Sequence, residues 1–289
     1  MPGTNKPVYE SPELSPSEFE LFRKLIYQRA GIALSDNKSP LVSSRLARRL
    51  RGLSLPTFRD YHRLLQQPDQ AAELQTAIDL LTTNETYFFR ESRHFDVIAD
   101  HARSRGRSQG PYRIWSAACS SGEEPYGLAM VLSERLGEAG WEIFASDLSA
   151  SMLVRAREAR YDIAAARQIP PAYLRRYCLK GTGEFDDTLL VQRSLRSRVS
   201  FGQVNLNEAL PSLGWFDAIL IRNVMIYFDA DTKQRVVDRL LSILRPGGLL
   251  IVSHAESLNG IVGPLNKVSP SIYQRPAQPE ADHRRRQLP

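Results

Sequence analysis

Residues 115–126, Trp115-Ser116-Ala117-Ala118-Cys119-Ser120-Ser121-Gly122-Glu123-Glu124-Pro125-Tyr126, decide how the rest of the chain is read. Before them, Tyr112-Arg113-Ile114-Trp115 has the composition of a short buried strand. After them, Leu128, Val131, Leu132 and Leu136 recur at helical spacing. Small residues between a strand and a helix let the backbone pass close to a bound molecule, and the helix start adds free N–H groups. The outline is that of a nucleotide-type ligand loop or of a plain tight turn. The G-x-G-x-x-G spacing of a pyrophosphate loop is missing.

Outward from this stretch, strands and helices alternate. Trp141–Asp147 reads as a strand ending in an acid, followed by a helix carrying Met152, Leu153 and Ala156. Phe216–Ile221 is a buried strand. A helix over Asp231–Leu244 leads through an Arg245-Pro246-Gly247-Gly248 turn into a strand at Leu249–Val252, and Ser271–Gln274 is a candidate last strand. This alternation predicts an α/β domain with a mostly parallel, Rossmann-like sheet and helices on both faces. Cys178–Lys180, the Gly181-Thr182-Gly183 turn, Leu189–Val191 and Val199–Phe201 break the pattern and predict a small antiparallel β-subdomain over about 177–202.

Upstream of 84 only helical periods occur. Ser15-Pro16-Ser17-Glu18 is a capping box with proline at the first helical position, and Gly31 ends that helix. Further helices are expected over about Lys38–Arg51, Thr57–Gln67 and Asp69–Leu81. The expected organisation is a flexible lead (1–13), a small all-α domain (14–83), a linker and helix (84–106), an α/β domain (107–275) and a disordered tail (276–289). The linker stretch Thr82–Arg90 combines three aromatics with several hydrogen-bonding groups, which suits the wall of a ligand cleft.

The chain of 289 residues can bury a core without staples, and two cysteines make no disulfide framework. No signal peptide or membrane-length apolar run is visible, so a soluble cytoplasmic protein is expected. The net charge of +6 is clustered, with arginines dense at Arg45–Arg51 and Arg193–Arg198, which suggests an anionic partner.

At the carboxyl end of its strand, Asp147 is placed to accept hydrogen bonds from ribose hydroxyls, a position shared by NAD and adenosyl-methionine enzymes. Glu123 and Glu124 put negative charge at the helix start, which repels phosphate and suits an ammonium or sulfonium ligand. No Cys/His spacing suggests a metal, and none is expected. His254 reads as a structural residue.

Ala118–Tyr126, Phe144–Asp147, Leu81–Arg90, Ile26–Ile32 and Arg222-Asn223-Val224-Met225-Ile226-Tyr227-Phe228 together resemble the chemotaxis receptor methyltransferases of the CheR type, from about Ser17 to Gln274. The resemblance implies an all-α domain followed by a class I methyltransferase domain that uses S-adenosyl-methionine and releases S-adenosyl-homocysteine. It implies that Asn84, Thr86 and Arg90 contact the methionine end of the cofactor, that Glu124 and Asp147 are acidic cofactor contacts, and that Asn205-Leu206 lies beside the adenine. Arg222, Asn223 and Tyr227 would form the cofactor and active-site edge, with Arg90 and Tyr227 catalytic. The implied substrates are glutamate side chains in the cytoplasmic helical methylation region of chemoreceptors. Arg45, Arg48, Arg49 and Arg51 would meet that acidic region. A receptor C-terminal peptide would add to the β-subdomain as a strand, although Asp186-Asp187-Thr188 puts acids where that type expects small or basic residues.

A glutamate carboxylate, with a pKa near ~4.3, is ionised at neutral pH and needs no general base to attack a sulfonium methyl. Donors that hold it in line suffice, and Arg90 and Tyr227 are donors. Enzymes that methylate base amines often carry Asn-Pro-Pro-Tyr where this chain has Arg222-Asn223-Val224-Met225, so nucleic acid is not the expected partner. An RNA or small-molecule methyltransferase, and a non-catalytic cofactor-binding module, are the alternatives.

Overall fold

The computed structural model describes residues 13–105, 110–137, 140–261 and 263–277, so nearly all of the expected lead and tail lies outside the described residues. The chain divides into two units between Thr83 and Asn84.

In the first unit, α1 (Pro16–Ala30) begins at the expected capping box. The Ser15 N–H donates to Glu18 at 3.0 Å and the Glu18 N–H to the Ser15 hydroxyl at 3.4 Å. Gly31 closes the helix in the left-handed region at φ 72°. The helices α2 (Ser39–Gly52), α3 (Phe58–Leu65) and α4 (Ala71–Leu81) pack with α1 around Phe22, Leu46, Leu50, Phe58, Tyr61 and Ile78. The Phe22 ring meets those of Phe58 and Tyr61 with centroids 6.2 Å apart in each case. Burying such side chains contributes roughly 1.5–3 kcal/mol each before chain entropy is counted.

In the second unit the elements run α5 (Arg93–Arg105), β1 (Tyr112–Ser116), α6 (Glu123–Leu136), β2 (Trp141–Asp147), α7 (Ala150–Glu158), β3 (Arg160–Asp162), α8 (Pro171–Tyr177), β4 (Cys178–Lys180), β5 (Thr188–Val191), α9 (Arg193–Arg196), β6 (Val199–Gln203), β7 (Phe216–Leu220), α10 (Ala230–Ile243), β8 (Leu244–Ile251), β9 (Asn266–Ser269) and β10 (Ile272–Gln274). The main sheet has the order β6-β2-β1-β7-β8-β10-β9. From β6 to β8 its pairs are parallel, while β10 runs antiparallel to both of its neighbours. The chain builds outward from β1 through β2 to β6, then returns to place β7 on the other side of β1. The switch point therefore falls between β1 and β7. Every residue of β7 is buried, as a parallel strand covered on both faces requires. On one face Trp115, Phe144 and Phe216 pack ring on ring, with centroids 5.6 to 6.4 Å apart. Ile114, Ile143, Ala145 and Ala218 join the core cluster that includes Leu128, Val131 and Leu132 of α6.

A Rossmann-like domain with a separate small antiparallel sheet is the expected fold class, but three assignments need correction. Val199–Phe201 belongs to β6, the edge of the main sheet, where it pairs parallel with β2. Its apolar–polar–apolar alternation fits either sheet, so the sequence pattern could not choose. The third strand of the small sheet is instead β3, giving the order β3-β5-β4, and its Arg160-Tyr161-Asp162 offers only one apolar residue to notice. The Pro246-Gly247-Gly248 segment lies inside β8 rather than before it. Gly247, at φ 78°, and a register shift against β7 mark a bulge there. β9, also unexpected, covers the far edge of the sheet.

Candidate functional site

The loop 117–122 leaves β1 at the carboxyl end of the sheet, beside the switch point. Ser120 has φ 48° and Gly122 φ 97°. A Cβ on Gly122 would come within 3.0 Å of both the Tyr161 hydroxyl and the Ala156 Cβ, so the tight packing of loop against α7 requires glycine. The loop is held from three directions. The Ala117 N–H donates to Leu220 of β7 at 2.8 Å, the Cys119 N–H to Ser146 of β2 at 2.9 Å, and the Tyr161 hydroxyl to the Ser121 carbonyl at 2.9 Å. Cys119 and, in β4, Cys178 are buried; burial pushes the Cys178 thiol up to about 12 and Cys119 well above the ordinary thiol range.

Asp147, buried at the end of β2, accepts from the Ser120 N–H at 2.8 Å and the Ser149 N–H at 2.9 Å. Its own carbonyl takes the Val204 N–H at 3.3 Å, which brings the Asn205–Leu206 segment next to it. Asn205 itself turns toward Glu208 and the Asn207 N–H, and Leu206 is buried. From the linker, the Asn84 carbonyl accepts the Ser120 hydroxyl at 2.8 Å, so Asn84, the loop and Asp147 form one connected group.

The second group centres on Arg222, buried just past β7. Its Nη1 donates to Glu124 at 2.6 Å, and its Nη2 to Glu91 at 3.1 Å and to the Arg90 carbonyl. Glu124 also accepts the Ser116 hydroxyl at 2.7 Å. Glu124 stands in the first turn of α6, and an arginine of the neighbouring strand end faces it. For Glu123, burial pushes the carboxyl up, against hydrogen bonds from the Ser121 hydroxyl. For Glu91, burial pushes the carboxyl up, but the His254 N–H and Arg222 outweigh it and hold the group below the usual range. His94 is fully buried, and burial with Arg222 nearby pushes its imidazole down to about 4, so the ring is neutral at physiological pH.

Asn223 sits at φ 59°, and its N–H donates to Glu256 at 3.0 Å. Glu256 also takes the N–H groups of Ile226 and Ser253, so one carboxylate shapes the turn that carries Tyr227. The Tyr227 hydroxyl makes no hydrogen bond among the described residues, and neither does the Thr86 side chain. Arg90 directs its guanidinium back along the linker, to the Glu85 carbonyl at 3.2 Å and over the Tyr87 ring at 5.5 Å. Glu91 and Glu256 were missed in the sequence. Glu91 directly follows the Thr82–Arg90 motif and Glu256 stands just past a buried strand, the two signals that could have found them.

The arginines of α2 divide. Arg45 donates to the Leu81 and Thr82 carbonyls at 3.2 and 2.9 Å, and Arg49 pairs with Glu73, which also accepts the Tyr61 hydroxyl at 2.7 Å. Both are ties within the helical unit rather than parts of a free basic face. Arg48 and Arg51 are the exposed pair.

A cavity of about 400 Å³ lies at the opposite, amino-terminal ends of β1, β2 and β6, lined by residues such as Arg113, Glu142 and Phe144. It holds none of the strand-end groups. Residues 84–273 match the family described as CheR methyltransferase, SAM binding domain, and residues 17–82 match its all-alpha domain. The chain belongs to the CheR methyltransferase family.

Among similar proteins are the chemotaxis protein methyltransferases of Salmonella typhimurium (43% identical, covering 90% of each chain) and Escherichia coli (45% identical, covering 85% of this chain and 86% of the other). The chemotaxis protein methyltransferase 2 of Pseudomonas aeruginosa is 40% identical over 94% of this chain and 98% of its own. The chain is thus an adenosyl-methionine-dependent methyltransferase of the CheR type. The loop between β1 and α6 has no side chain larger than Cys, so its backbone can pass close to that ligand, with the Asp147 carboxylate at the end of the next strand. Among the described residues, no helix is long and apolar enough to cross a membrane.

Proposed function

We propose that this CheR-family enzyme methylates glutamate side chains in the cytoplasmic helical region of chemoreceptors, giving γ-glutamyl methyl esters and S-adenosyl-homocysteine. Bound adenosyl-methionine supplies a methyl group made electrophilic by its sulfonium. Asp147 accepts from the ribose, Asn205 and Leu206 border the adenine, and Asn84, Thr86, Glu124 and Asn223 define the methionine end. Arg222 anchors this end by tying Glu124 to the linker. Arg90 and Tyr227 orient and desolvate the acceptor carboxylate, the part of the task that contributes most when the nucleophile is already ionised.

The observation that carries this reading is Tyr227, a hydroxyl donor without a partner among the described residues, on a turn fixed by Glu256 beside the switch point. Amine methylation calls for acceptors at that place. Arg48 and Arg51 are the residues we assign to the acidic receptor helices. A receptor C-terminal peptide would add to β3 or β4, the edge strands of the small sheet, with Lys180 and Asp186, 3.5 Å apart, at the tip of the hairpin.

The test is tritiated adenosyl-methionine incubated with receptor-containing membranes. Label on the receptor that mild base releases as methanol is expected. Base-stable label, or label in RNA, overturns the assignment. Arg90→Ala should lower kcat/KM by about 100-fold or more while S-adenosyl-homocysteine still binds.

A further inference from the structure

Glu91 before α5, His94 in α5 and His254 after β8 bring one carboxylate oxygen and two imidazole nitrogens within 4.8 Å of one another. The methyl-transfer reading uses Glu91 only as a partner of Arg222 and gives the two histidines no task. The Ser271 hydroxyl lies 2.8 Å from His94 Nε2 and 2.5 Å from the Pro270 carbonyl, so a proton on Nε2 lets that hydroxyl accept from the ring and donate to the carbonyl. In that tautomer Nδ1 presents a lone pair. That Nδ1 is buried, has no hydrogen-bond partner, and faces the Glu91 carboxylate at 3.4 Å. Two electron-rich atoms across such a gap repel each other, and a cation between them turns both into ligands.

We propose that Glu91, His94 and His254 form a binding site for a divalent transition-metal ion of the zinc class. Ligand atoms about 3.4 Å apart are what a tetrahedral ion with bonds of about 2.1 Å requires, and the His94–Glu91 pair stands at that distance. His254 supplies the third ligand. Its ring is exposed and edge-on to His94, with centroids 5.0 Å apart, so it can turn inward without disturbing the core. Water completes the set. Two imidazoles with one carboxylate favour zinc, copper, nickel or iron over magnesium and calcium. The Ser271 bond to Nε2–H is the outer contact that orients a ligating histidine. Because Glu91 also holds Arg222, and Arg222 holds Glu124 and the Arg90 carbonyl, an ion here competes with the guanidinium that organises the methionine end of the site.

The test is zinc titration of the full chain, purified without a polyhistidine tag and stripped by chelator, followed by competition with a chromophoric chelator. One saturable equivalent is expected. Cobalt should give the visible d–d bands of a four-coordinate ion. His254→Gln changes only an exposed ring and should weaken zinc by at least about 10-fold. His283→Gln, in the tail, should change nothing, and excess magnesium should not displace zinc. His94→Gln, checked for folding by circular dichroism, should also lose the site. Absence of saturable zinc, binding unchanged in His254→Gln, or binding lost in His283→Gln overturns the proposal.

Discussion

Asp147 receives two backbone N–H groups, from Ser120 and Ser149, so it braces the loop between β1 and α6 before any ligand arrives. Bracing and ribose recognition can be separated experimentally. Asn at this position keeps one acceptor oxygen but loses the charge, and hydrogen bonds to charged groups are worth about 1.5–3 kcal/mol. Asp147→Asn should therefore weaken S-adenosyl-homocysteine about 10- to 100-fold by calorimetry. An unchanged affinity would reduce Asp147 to a loop brace. At this scale the sequence revealed acids and donors, but not their partners. Glu124 looks like a bare charge until Arg222 folds against it from 98 residues away. Arg45 and Arg49 share a helix with Arg48 and Arg51, and only tertiary contacts with α4 separate tie from surface.

Among elements, the turn into α6 depends on Gly122. Alanine there must adopt a φ near 97° and press against Tyr161 and Ala156. Such strain costs about 1–3 kcal/mol. Gly122→Ala should lower Tm by at least a few degrees in a thermal scan, and an unchanged Tm would mean that α7 gives way. The tie between α2 and α4 makes a pH-dependent prediction. The Arg49 hydrogen bond, outweighing burial, holds Glu73 below its ordinary value of 4.5. A depressed carboxyl stabilises fully above the ordinary value, and that stability is lost as pH falls through the lower folded value. Glu73→Gln should cost about 1–2 kcal/mol at pH 7, after allowance for the partly exposed Arg49. The gap in Tm from the unsubstituted chain should close as the medium becomes more acidic than the ordinary value. A gap that persists there would assign the tie to packing. Capping signals and periodicity made the helices and inner strands legible, from Ser15 at α1 to Phe216 in β7. Short strands escaped because β3 and β9 have too few apolar residues to set a period.

For the whole molecule, a net charge of +6 and the exposed Arg48 and Arg51 favour an acidic partner. Surface attraction is screened over about 10 Å at 0.1 M salt and about 3 Å at 1 M. The KM for receptor membranes should therefore rise with salt, while the affinity for S-adenosyl-homocysteine in its strand-end site changes far less. An equal response of both would remove the basic surface from the account. The fold class could be read from the alternation of strand and helix after Tyr112. The return of the chain to place β7 beside β1 could not, because strand order follows from pairing rather than local pattern.

The burial of both thiols has a practical consequence. Cys119 and Cys178 are neither reachable nor ionised near neutrality, so alkylating dyes should pass the native chain by. Ile226, half exposed on the turn that Glu256 fixes, stands next to Tyr227. A fluorophore attached to a cysteine introduced there could follow a receptor's arrival at the proposed methyl-transfer site in real time, with no need to strip the native cysteines first.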